Sequence, residues 1–426
     1  MSSLAARGVA RGLGGRWPGA GRLALVVVLL AVANLAIQVV TGLDAPAKTD
    51  YLPFATGAQV LQADPSCLYC MDAQASAQAA ILGYRPTAGF PQPFVNPPLT
   101  ALLLRPFAAL PLRTGMAVFV LVLLFALLMA MRLASRLLPA AWPDWRRLLV
   151  MASAAFSIPA ATALFLAQWA PLLLLAAVGA LAAMRARRPV LAGLMLAALV
   201  VKPQTVWLAL PLLAVAGSWR VLLGFGAGAA GWALTGLALV GPAELLQWPR
   251  LVLERHVGEA HRTAGLPGAV AGWTGSDPAA FVAAVVLAVA VVAGAVALRR
   301  RLRGRPEVAL AVGVALSMVC APHVFPDDLM LLAVTAIVWA PFAPRAAVAS
   351  MIAVSAAYLV DGWLPAWAGH VTPLATLAVA VGAMLSLGVL RLPASWGTAV
   401  AARAWAVGRL GSSHAAAGGG GVSPWH

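Results

Sequence analysis

The sequence predicts an all-α polytopic membrane protein, and three observations lead there. Hydrophobic residues make up 62% of the 426 positions and charged residues only 10%. A soluble globular chain carries about 25% charged residues to cover its surface. The mean hydropathy is +0.91, and the apolar residues fall in runs near the ~17–25 residues that a membrane helix needs. Arg and Lys sit in the short turns between those runs, as the positive-inside tendency requires. A soluble enzyme, a disulfide scaffold and a free nucleic-acid binder are excluded for the chain as a whole. The net charge of +16 invites a nucleic-acid partner, but topology accounts for it.

The elements follow in order. Residues 1–22 carry Arg7, Arg11, Arg16 and Arg22 among Gly and Ala and read as a disordered basic tail. The run 23–40 is too long for the ~7–15-residue core of a signal peptide, despite Ala45-Pro46-Ala47 resembling a cleavage site, so it reads as a retained first span. A mixed outer loop, 41–114, comes next. Its first part is long, rich in Asp, Gln and Pro, and contains Tyr51, Phe54, Val60 and Leu61, so it reads as surface helices folded against the membrane. Segment 97–112 is apolar but broken by Pro97, Pro98, Pro106 and Pro111. It reads as a re-entrant or short outer helix; as a full span it would put Arg185, Arg187 and Arg188 outside. Further spans read as 115–137, 148–165, 168–184, 189–203, 205–218, 221–240, 278–298, 307–321, 328–342, 346–362 and 372–390. With the first this makes about twelve in a 23–392 membrane domain. The segment 393–426, rich in Gly, Ala and Ser after Arg409, reads as a disordered tail.

This topology places most of the 29 basic residues inside, with Lys48, Arg85, Arg105, Arg113, Lys202, Arg250, Arg255 and Arg262 as exceptions. Asp144 and Glu307 are the inner acids; the others fall outside. Both termini are then cytoplasmic, and the functional face is extracytoplasmic, in a bacterial plasma membrane. Cys67 and Cys70 form a lone C-x-x-C, a weak zinc signal. Two unpaired thiols is the favoured reading, and a local disulfide the alternative if the loop faces an oxidising compartment.

The chemistry-bearing residues gather on the outer face. Asp50, just past the first span, reads equally as a general base for an acceptor hydroxyl and as the N-cap of a helix starting at Tyr51. Lys202, in Lys202-Pro203-Gln204-Thr205, reads equally as an anion ligand and as a snorkelling side chain. His323 suits phosphate contact or proton transfer. Asp327 and Asp328 read as helix caps. Glu254, His256, Glu259 and His261 read as a solvated amphipathic helix, and nothing has metal-ligand spacing. The sequence holds no P-loop, no G-x-G-x-x-G after a strand and no G-x-S-x-G.

Several stretches, taken in order, resemble glycosyltransferase family 87, whose members have the GT-C fold. They are Asp50-Tyr51 with Phe54-Ala55-x-Gly57; Phe94-Val95-Asn96-Pro97-Pro98-Leu99 followed by Pro106 and Leu110-Pro111; Gln168 opening a Leu-rich span; Ala192-Gly193-Leu194 before Lys202-Pro203; and Ala321-Pro322-His323 with Asp328 before a Leu run. Family members usually carry an aromatic before the double Pro, where this chain has Asn96. The resemblance implies a polyprenyl phosphate sugar donor, its hexose mannose in the first instance, and a glycolipid or glycan acceptor. It implies Asp50 and His323 as catalytic residues and Tyr51, Asn96, Gln168, Lys202 and Asp328 as substrate contacts. No cofactor and no metal is implied; membrane lipids surround the chain. A transporter or lipid flippase is the competing class, but the sequence shows no repeated halves and no mid-membrane acids. A non-catalytic scaffold would not need the polar outer loop.

Overall fold

The computed structural model describes residues 20–85, 92–155, 157–256, 263–363 and 370–390. Within them the chain is helical, with no strand. The helices are α1 (Ala20–Asp44), α2 (Tyr51–Ala63), α3 (Met71–Leu82), α4 (Pro98–Ala108), α5 (Leu112–Leu137), α6 (Asp144–Ala155), α7 (Ile158–Phe165), α8 (Ala170–Arg185) and α9 (Pro189–Leu196). They continue as α10 (Ala209–Val215), α11 (Trp219–His256), α12 (Leu266–Thr274), α13 (Asp277–Ala297), α14 (Pro306–Cys320), α15 (Leu332–Trp339), α16 (Pro344–Asp361) and α17 (Val371–Ser386). Segment 97–112 is the short helix α4, one of the two forms expected.

Every apolar run expected to span holds a helix, but few are full length. By length and composition three can cross a membrane: α5, Trp219–Val252 of α11, and α13. The pair α6 and α7, bent by 48°, makes a fourth if it is one broken span. The twelve expected spans are therefore not twelve long helices. Proline is the physical reason. Pro at the first or second position opens α4, α7, α8, α9, α12, α13, α14 and α16, where its missing N–H and fixed φ favour a start and forbid continuation from the preceding turn. The run 189–203 is α9 extended by the 3-10 segment Ala197–Val201, and 328–342 is the 3-10 segment Pro326–Leu331 leading into α15. Gly241, at φ 79°, breaks α11 ahead of Pro242, where the sequence had ended the span.

The core is α14 and α15, buried along nearly their whole length. Apolar residues lie outside as well as inside. On α13, Phe281, Val282, Val285, Val286 and Val289 are exposed and only 17% of the apolar window is buried. A helix of that kind needs an apolar solvent. Small residues bring backbones together: a Cβ on Gly193 of α9 would strike Val221 O and Phe225 N of α11, and one on Gly224 would strike Val190 O. The Ala192-Gly193-Leu194 stretch thus serves close helix packing.

The helix ends sort into two sets. At one end Arg185 Nε meets Glu307 at 2.8 Å, its guanidinium also reaches Leu137 O, Arg305 donates to Leu387 O, and Gly304 N donates to Ala216 O. These are the ends expected inside. The ends carrying Asp50, Gln168, Lys202 and residues 321–328 meet at the other. Residues 1–19 and 391–426 lie outside the described residues, as do Glu259, His261 and the side chains of Glu254 and His256.

Candidate functional site

Asp50 stands between the 3-10 turn Pro46–Lys48 and α2. It occupies the N-cap position, yet its side chain makes no cap hydrogen bond. Thr49 does that work: its buried hydroxyl accepts from Tyr51 N at 3.3 Å and donates to Pro46 O at 2.8 Å. The Asp50 side chain is therefore not the helix cap. Its carboxylate accepts a hydrogen bond from Gln168 Nε2 instead.

Gln168 is set by the corner between α7 and α8. Ala167 takes a left-handed conformation at φ 57°, and Gln168 N donates back to Ala163 O at 2.7 Å. This is a Schellman-type close with alanine where glycine is usual. Trp169, next along, lies against Phe54 of α2 and Phe119 of α5, at ring centroid distances of 5.7 and 5.6 Å. The corner is thus clamped to the helix that carries Asp50. The carbonyl oxygen of Gln168 is buried and has no protein partner among the described residues.

Lys202 ends the 3-10 segment Ala197–Val201. Its side chain is buried and does not snorkel. Its Nζ donates to Asp327 Oδ2 at 2.7 Å and to Asp328 Oδ1 at 2.8 Å, with both carboxylates fully buried. A buried ammonium needs counter-charge, and two carboxylates supply it. Asp328 also caps locally, accepting from Phe325 N at 3.1 Å. The cap reading therefore covers half of the role of Asp328, while Asp327, also read as a cap, pairs with Lys202 instead; the signal for that pairing was a Lys in apolar surroundings that had to find a carboxylate. His323 packs its ring edge-on to Phe325 at 4.5 Å, on the loop whose Val324 O accepts from Ala264 N at 2.6 Å. The Pro326–Leu331 segment packs on α7 and α8, so the Lys202 group and the Asp50–Gln168 pair share one corner of the bundle.

Tyr51 and Asn96 stand differently. Tyr51 is buried against Phe119 of α5, and burial pushes its phenol pKa up, so it is a neutral group of the core. Asn96 belongs to an extended stretch, Gln92–Asn96, whose backbone is held by side chains from three places. Gln78 bonds Gln92 at both N and O, Gln74 Oε1 accepts from Phe94 N at 2.7 Å, Trp248 Nε1 donates to Val95 O at 2.8 Å, and Tyr69 OH donates to Asn96 O at 2.8 Å. Tyr69 N in turn donates to the buried Glu244 at 2.8 Å. Burial first, and Glu244 second, push the Tyr69 pKa up, so it remains a donor. These clamps were missed by sequence reading; Gln74 and Gln78, four apart on one helix face, were the available signal. Phe94 fits against Gly57, where any Cβ would enter its ring. Cys67 and Cys70, favoured as free thiols, form a disulfide beside Tyr69; Cys320 is free and buried. Among the described residues no three His, Cys, Asp or Glu side chains gather so as to hold a metal.

The model of glycosyltransferase family 87 matches residues 94–322. The chain belongs to glycosyltransferase family 87. As a family 87 protein with outward apolar helices, it is a membrane glycosyltransferase using a sugar donor and an acceptor. Asn96, Gln168 and Lys202 lie inside the matched residues, His323 directly follows them, and Asp50 and Tyr51 precede them. Comparison with curated proteins and with solved structures returns no match.

Proposed function

We propose that the protein moves a hexose, mannose in the first instance, from a polyprenyl phosphate sugar to an acceptor hydroxyl of a glycolipid or glycan, with inversion, on the outer face of a bacterial plasma membrane, in a fold of the GT-C type. The observation that carries the reading is the Asp50 carboxylate held by Gln168 Nε2 rather than spent on a helix cap. Asp50 takes the proton of the acceptor hydroxyl. The oxygen attacks the anomeric carbon, the bond from that carbon to the phosphate oxygen breaks, and polyprenyl phosphate leaves. Gln168 keeps the carboxylate aimed and offers its free carbonyl oxygen to a second hydroxyl. A correctly held base contributes ~10²–10⁴-fold.

Lys202 and His323 stand on the leaving-group side. Two of the three Lys202 N–H groups are engaged by Asp327 and Asp328, so its third is what a phosphate oxygen can use. Fixed charge of this kind at a departing phosphate is commonly the largest catalytic term. Asp328, tied to Lys202 and to Phe325 N, sets the turn from which His323 reaches the phosphate or assists the base. Asn96 frames the acceptor side, and Tyr51, buried against Phe119, supports the segment that carries Asp50.

The test is transfer of label from polyprenyl phosphate mannose to a panel of glycolipid acceptors by reconstituted protein, with Asp50→Asn in parallel. Transfer by wild type and its loss in the variant support the reading. Passage of labelled lipid or solute across the liposome without transfer from any donor would instead support a transporter.

A further inference from the structure

A cavity of about 550 Å³ opens at the end of the bundle away from Asp50 and Lys202. The sixteen residues of α8 separate it from Gln168, which is about 24 Å of helix rise. Arg187, Arg220, Ser218, Trp219 and Pro189 line it. Neither Arg187 nor Arg220 has a carboxylate within ion-pair distance among the described residues. Glu307, the nearby acid, lies on an adjoining cavity of about 350 Å³ and is taken by Arg185.

Two further observations say what the cavity takes. Arg187 has φ 56° and closes α8, with Arg188 N donating to Ala183 O at 2.8 Å. Glycine would adopt that left-handed position without strain, so the arginine side chain can be removed there without loss to the backbone. Beside the cavity, α9 and α11 are packed backbone to backbone through Gly193 and Gly224, and they turn apolar side chains outward: Val190, Leu191 and Leu194 on α9, Trp219 and Leu223 on α11, the last 71% exposed. Charge at the mouth with an apolar seam running from it is the shape of an amphiphile, and two arginines lining one cavity suit a phosphate.

We propose that this cavity binds the phosphate of an anionic phospholipid, with Arg187 and Arg220 on the headgroup and the acyl chains along the α9–α11 seam. The site is separate from the sugar-transfer site and stands or falls without it.

The experiment is lipid binding by the full-length protein in detergent, read by native mass spectrometry and by Tm. Phosphatidylglycerol, phosphatidylcholine and inorganic phosphate are the probes. Phosphatidylglycerol binds at least about tenfold more tightly than phosphatidylcholine, and Arg187→Gly and Arg220→Gln each weaken it by about tenfold, the size expected for one charge-assisted contact. Arg188→Gln, which removes an equal charge just outside the cavity, changes it by less than about threefold. Arg187→Gly relieves the strained position, so its Tm without lipid stays at or above wild type and loss of binding cannot be ascribed to unfolding. Equal binding of the two lipids overturns the proposal. So does an Arg188→Gln loss as large as the other two, or unchanged binding in Arg187→Gly and Arg220→Gln. Displacement of phosphatidylglycerol by millimolar inorganic phosphate would assign the cavity to a soluble anion and overturn the lipid.

Discussion

At the scale of single residues, the neighbours of Asp50 and Lys202 decide what each can do. Thr49 relieves Asp50 of the cap, and Gln168 holds it. Asp50→Asn keeps a carbonyl for the Gln168 amide, so the variant keeps its Tm while transfer falls by at least about 100-fold; loss within tenfold would remove Asp50 as the base. Lys202 is a harder case to change. Lys202→Met leaves Asp327 and Asp328 buried without counter-charge, which destabilises by about 3–5 kcal/mol. Adding Asp327→Asn and Asp328→Asn removes the stranded charges, so the triple variant is more stable than the single one. Thermal unfolding in detergent reads both. A single variant as stable as the triple would show that the pair carries little structural weight.

At the scale of elements, the sequence made the helices legible and their lengths not. Apolar runs and basic turns located α5, α13 and α14, and the run read as 221–240 ends where Gly241 breaks α11. Runs 189–203 and 205–218 are short in the sequence itself; what could not be read was how much shorter than its run each helix would be. That depends on whether protein covers a helix end, and α9, α10 and α15 end in buried surroundings made by distant segments. The site divides the same way. Asp50, Gln168, Lys202 and Asp328 were visible as residue types near one face, but the pairing of Lys202 with Asp327 spans 125 positions, and no local pattern encodes it. The clamp on Gln92–Asn96 belongs here too. Gln74→Ala strands the fully buried Phe94 N–H and destabilises by about 1–3 kcal/mol, measurable as a lower Tm. Gln74→Glu is no rescue, because Gln74 Nε2 also donates to Leu68 O at 2.9 Å and a carboxylate there would be buried against a carbonyl oxygen.

At the scale of the whole molecule, apolar surface faces two ways. Residues such as Phe281, Val285 and Val289 of α13 face outward while α14 is buried in the middle, so the fold requires lipid or detergent around it. The thiols report on the other solvent. The chain has three cysteines, of which Cys67 and Cys70 are bonded and Cys320 is buried. Maleimide therefore labels none in the folded protein, one after unfolding without reductant, and all three after unfolding with reductant. Two or three labels without reductant would show the Cys67–Cys70 bond absent and the compartment on that side reducing.

The Lys202 pairing also bears on how the chain is made. Lys202 leaves the ribosome long before Asp327 and Asp328 exist, and until they arrive its charge sits beside a bilayer with no permanent counter-ion. The late segment brings the counter-charge that the helices around Lys202 lack until then. A chain stopped at Cys320 would contain nearly all of the helices around Lys202 and still present a membrane protease with an unfinished one.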